Sequence, residues 1–99
     1  MKVNAMKLVS GEEIVAEIVK EDDRLITIKN PLAILLSKSQ QGDLNVGFVP
    51  FAPYLGNNPE ITLELAKLQF INEVDEQMKE QYNSIFSQVI TPTKQLITG

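Results

Sequence analysis

Apolar side chains fall at every second position over Ile14, Ala16 and Ile18, the period of a strand with one buried face, and Leu25 to Ile28 resume a β-branched run. Val15 and Val19 lie opposite Ile14 and Ile18, so this strand predicts partial burial on both sides and a cover over its outer face. Val3 to Val9 reads as a preceding strand, and Ser10-Gly11 as a tight bend, glycine being free to adopt positive φ. The Glu21-Asp22-Asp23 turn separates the second strand, Glu12 to Lys20, from the third, Arg24 to Lys29.

Asn30-Pro31 marks a bend, and Leu32 to Ser37 resumes extended structure, either as one long strand bent at Pro31 or as two short ones. The polar loop Ser37 to Asp43 leads into a fourth strand, Leu44 to about Phe51. Prolines at 50 and 53 confine the end of that strand to a sheet edge, because each lacks a backbone donor. The apolar run Phe48 to Leu55 therefore packs inside the domain or forms a subunit interface. After the turn cluster Gly56-Asn57-Asn58-Pro59, Ile61, Leu63 and Leu65 alternate, and so do Leu68 and Phe70, predicting a fifth strand with a bulge near Ala66.

The period then changes. Met78, Tyr82, Ile85, Phe86 and Val89 form a helical stripe, with Asn72 or Asp75 placed to cap its start and Pro92 to stop it. The expected organisation is one domain over 1–99: a β unit over about 1–71, a helix over about 73–89 and a C-terminal tail over 90–99. The tail, with no period, is either loosely ordered or docked on a neighbour.

Residues Leu8 to Asn30, with Leu-x-x-Gly, alternation, a hairpin aspartate and a further apolar strand, resemble the first motif of the Sm-like superfamily, and align without a gap to its bacterial RNA-chaperone (Hfq) branch. The match covers about a quarter of the chain. A helix after the fifth strand, DEQMKEQYNSIF from Asp75 to Phe86, is similar to the small Sm-like proteins encoded by tailed bacteriophages, notably those of marine cyanobacteria. The resemblance implies a mainly β, Sm-like fold: a strongly bent five-stranded antiparallel sheet, or small open barrel, with a C-terminal α-helix. It also implies a cyclic homo-oligomer of about five to seven subunits, five being plausible from the phage resemblance, in which the fourth strand of one subunit pairs with the fifth of the next. Phe48, Val49, Phe51, Leu63, Leu65 and Leu68 are the expected interface residues.

Single-stranded RNA is the partner that the resemblance implies. Asp22 matches the hairpin aspartate that orders the family's nucleotide-binding loop, and is equally a residue that turns favour for local hydrogen bonding. Asp23 and Arg24 occupy the positions that face the pore; Arg24 can stack on a base, or simply partner Asp22 or Asp23. Lys29 and Asn30 are further candidate contacts, as are Lys38 and Lys67, although scattered lysines are ordinarily solvated. Two departures weaken a uridine-specific reading. Ile26 stands where many relatives carry a base-contacting asparagine, and neither version of the second Sm motif is present.

Nine basic residues against thirteen acidic ones give a net charge of −4, which disfavours indiscriminate nucleic-acid binding. The absence of histidine and cysteine removes the common catalytic bases, thiol nucleophiles and metal ligands. No enzymatic activity, metal or cofactor is expected, and the compartment expected is the cytoplasm, that of the bacterial host for a phage protein. Neither a signal peptide nor a membrane span is apparent. Three functions of different class are compatible with these residues: an RNA-binding ring acting as regulator or chaperone, a protein-interaction or scaffold ring without RNA, and a metal-dependent activity of the acidic hairpin.

Overall fold

The alternation at Ile14, Ala16 and Ile18 is realised as the strand about which the others are arranged. The computed structural model describes residues 2–90, with side chains through Phe86. In chain order its elements are β1 (Lys2–Leu8), β2 (Glu13–Glu21), β3 (Leu25–Lys38), β4 (Leu44–Pro50), β5 (Glu60–Glu64), β6 (Leu68–Glu73) and α1 (Glu76–Ile90). The expected Asn30-Pro31 bend lies inside one long strand, β3, which resolves the choice between one strand and two. Asn30 takes a left-handed φ of +54°, a conformation that asparagine tolerates better than most side chains.

All pairings are antiparallel. β1 lies between β2 and β6, with Met6 opposite Ile14 on one side and Ile71 on the other. β2 then pairs with β3, and the register shifts twice, between Val15 and Glu17 and between Ile18 and Lys20. Each shift adds an unpaired residue that bends the strands and increases their twist. β5 and β4 share the far edge of β3: β5 pairs with Leu25–Lys29 and β4 with Leu32–Lys38. Beyond Ala33, β3 has β4 as its only partner among the described residues, so the two continue as a two-stranded ribbon. Pro50 is the last residue of β4, where its missing donor interrupts nothing further along the ladder.

The sheet has six strands where five were expected. A 3₁₀ turn at Leu65–Lys67, in place of a simple bulge near Ala66, carries the chain from the edge of β3 to the outer edge of β1. The leucine alternation runs up to this turn at Leu65 and resumes beyond it at Leu68, which is why the sequence reads as a single strand with one irregularity. The hydrogen-bonded path runs β5–β3–β2–β1–β6, and no ladder joins β5 to β6. The sheet is therefore not closed into a barrel; the covalent turn bridges its ends, held by Leu65 N–H to the carbonyl of Arg24 (2.9 Å) and Val9 N–H to that of Lys67 (2.8 Å).

Adjacent residues of β2 point to opposite faces and serve two separate cores. Met6, Ile14, Ala16, Ile26 and Ile28 are fully buried on the inner face, where β5 and β6 contribute Ile61, Leu63, Leu68 and Ile71. Val3, Val15 and Leu32 are buried on the outer face beneath Tyr82 of α1. Met78, Ile85 and Phe86 extend that contact, so the predicted helical stripe is the face α1 lays on the sheet. The helix is thus the cover that the two-sided apolar pattern of β2 requires. Asp75 caps it, its Oδ1 accepting the N–H of Met78 at 2.9 Å, while Asn72 belongs to β6. Val89's side chain, the stop at Pro92 and the 91–99 tail lie outside the described residues. No helix among the described residues is long and apolar enough to cross a membrane.

Candidate functional site

The β2–β3 hairpin is built on one carboxylate. Asp22 Oδ1 accepts the backbone N–H of Arg24 at 2.8 Å and that of Leu25 at 2.7 Å, while the N–H of Asp22 donates to the carbonyl of Leu25 at 2.9 Å. These two donors, Arg24 N–H first, hold the Asp22 carboxyl below its ordinary value, helped by Lys20, because hydrogen bonds to the charged form favour it. Asp22 is thus engaged in the turn, whereas Asp23 and Arg24 are exposed at the tip. With the Arg24 carbonyl fixed by Leu65, the guanidinium side chain projects from a constrained backbone.

Lys29 and Asn30 lie elsewhere. Lys29 is five residues along the chain from Arg24, about 17 Å at the usual strand rise, so Asp22, Asp23 and Arg24 are separated from Lys29 and Asn30 within a protomer. In the ladder Lys29 stands between Glu17 of β2 and Glu60 of β5. Opposite charges directly across strands attract, which lowers the positive potential this lysine presents to a polyanion.

Around Asn30 a second site takes shape. A cavity of about 500 Å³ opens between the β3 bend, the Pro50–Pro59 connection and one face of α1. Tyr82, only 2% exposed, sends its hydroxyl to the carbonyls of Lys29 (3.0 Å) and Asn30 (2.9 Å) and fixes the helix to the bend. Burial raises the pKa of this phenol well above its ordinary value, so it remains a neutral donor. Asn30 N–H donates to the carbonyl of Pro59 at 2.9 Å, closing the connection against the strand. Gly56 turns the connection at φ +90°, and Asn58 follows at +52°.

Of the residues meeting here, the sequence reading selected Lys29 and Asn30 but passed over Glu17, Asn57, Asn58 and Asn83. The Gly56–Pro59 cluster was legible as a turn; its apposition to a helix about 25 residues later depends on tertiary packing.

The expected interface residues occupy varied settings. Phe51, Leu63, Leu65 and Leu68 pack partly against the inner core, and Phe48 against the core beneath α1. Val49 is exposed. Four more exposed apolar side chains, Leu35, Leu36, Leu44 and Val46, concentrate on the β3–β4 ribbon that carries it. Among the described residues β4, β5 and β6 each pair on one side only, leaving each with a free edge. No group of acidic side chains among the described residues is gathered as a metal ion would require.

No family model matches the chain, and no curated protein matches it.

Proposed function

We propose that this chain is an Sm-like subunit that forms a closed homo-oligomeric ring and that the ring is an RNA-binding regulator or chaperone. The observation that carries the proposal is that β4, β5 and β6 are each paired on one side only among the described residues, β4 lying on a ribbon with five exposed apolar side chains. An isolated two-stranded ribbon is marginal in water, and an exposed apolar edge favours addition of another strand. Pairing β4 of one copy with β5 of the next satisfies those two edges and buries Val49. What supports the RNA role is Arg24, exposed on a constrained hairpin tip, which a ring would repeat around one opening.

Light scattering on the eluting chromatographic peak tests the assembly: a discrete mass of about five to seven subunits supports it, and a clean monomer refutes it. Filter binding of uridine-rich and adenine-rich oligonucleotides at two salt concentrations tests the ligand. RNA held through Arg24 should bind more weakly as salt rises, and more weakly still in Arg24→Ala.

A scaffold ring without RNA is the second reading. It is favoured by the net charge of −4 and by Lys29 standing between two glutamates. Absence of oligonucleotide binding by an intact ring would select it.

A further inference from the structure

We propose that the cavity between the β3 bend, the Pro50–Pro59 connection and α1 binds an uncharged, nucleoside-sized heterocycle through a lactam edge, with the Asn83 carboxamide as its pairing group. Its volume of about 500 Å³ lies in the ordinary range for small-molecule sites. Pro31, Pro53, Pro59 and Phe86 supply rigid apolar surface, which suits a flat ring.

Charge and hydrogen-bonding capacity narrow the class. Glu17 and Lys29 are the charged residues lining the cavity and face each other across the β2–β3 ladder, so the lining carries no net charge and sets a carboxylate opposite its one cation, which disfavours a phosphate. The Tyr82 hydroxyl is occupied by the carbonyls of the bend. Carboxamides remain, on Asn30 of the bend, Asn57 and Asn58 of the connection and Asn83 of the helix. A carboxamide presents a donor beside an acceptor, and its complement is an acceptor beside a donor, the O=C–N–H edge of a lactam. Asn83 is half-buried on a helix, hence better preorganised than the exposed Asn57 and Asn58.

Backbone strain points to the same place. Asn30 and Asn58 are the non-glycine residues with left-handed φ among the described residues, and both line this cavity. Two buried side-chain oxygens have no partner among the described residues, those of Asn4 and Asn30, and the second lines this cavity. Costs of this kind concentrate where a ligand is clamped.

Calorimetric titration with inosine, which carries a lactam and no charge, tests the assignment. Saturable binding of one inosine per chain is expected, unchanged between low and high salt. Binding of 1-methylinosine, whose edge is blocked, and binding to Asn83→Leu should each be weaker by about tenfold or more. Asn83→Asp, which keeps the shape and loses the donor, provides a second variant that should also bind inosine more weakly. No saturable binding at millimolar inosine, or equal binding of 1-methylinosine, overturns the proposal; so does full affinity in both Asn83 variants. The cavity lies within one protomer and is uncharged overall, so a chain that forms no ring and ignores RNA would still bind inosine, and the two readings fail separately.

Discussion

Tyr82 donates its hydroxyl to the backbone carbonyl of Asn30, 2.9 Å away and 52 residues earlier in the chain. Removing that oxygen in Tyr82→Phe leaves the Lys29 and Asn30 carbonyls without their donor while preserving the ring. The expected loss is about 1–2 kcal/mol, and each kcal/mol should lower the melting temperature by roughly 4–8 °C. Thermal unfolding of the two proteins side by side measures it. An unchanged midpoint would mean that water replaces the hydroxyl without penalty.

Asp75→Ala should cost about 1 kcal/mol by releasing the N–H of Met78 at the helix start. Asn accepts the same bond, so Asp75→Asn should unfold within a few tenths of a kcal/mol of the parent. Urea midpoints for the three proteins provide the comparison, with unchanged slopes confirming that the cap alone has changed.

The hairpin should carry an acid dependence with a defined sign. Asp22 has a folded pKa below its ordinary value of 3.8, so the unfolded chain takes up the proton first as pH falls. The stabilisation is complete above the ordinary aspartate range and is lost as pH drops below 3.8 toward the lower folded value. Stability measured against Asp22→Asn across that range isolates the effect, because the variant has no carboxyl there to titrate. A difference that grows on acidification would reverse the assignment.

Val49→Lys places a charge on an exposed position of β4, opposite Ala33 and away from both buried cores. The protomer should keep its far-ultraviolet dichroism and near-parental melting, while light scattering reports smaller species. Retention of the parental mass would remove Val49 from the assembly surface.

Local periodicity made most individual elements legible. Ile14, Ala16 and Ile18 marked β2; Met78, Tyr82, Ile85 and Phe86 marked the buried face of α1; Asp75 was one of two correct-looking caps. Even the sheet's turn between β5 and β6 left a trace, as a break in alternation near Ala66. What a two-residue period reports is which face a side chain joins, and it carries no information about the neighbouring strand. That β5 pairs with β3 while β6 crosses to β1 was accordingly invisible. So was the helix-lined cavity, which depends on bringing Asn30, Asn58 and Asn83 together from three remote segments. Of the hairpin residues, Asp22 could be anticipated in its turn role because that chemistry is local.

β2 has water on neither side along its first half. Ile14, Val15 and Ala16 are all fully buried, alternately facing the inner core and the floor beneath α1. In β3 the fully buried Ile26 and Ile28 alternate with the partly exposed Leu25, Thr27 and Lys29, whereas these three consecutive positions of β2 include no such neighbour. In a randomised library selected only for folding, they should accept the narrowest range of side chains, and a lesion at any one of them should disturb the layer on the other side of the strand as well as its own.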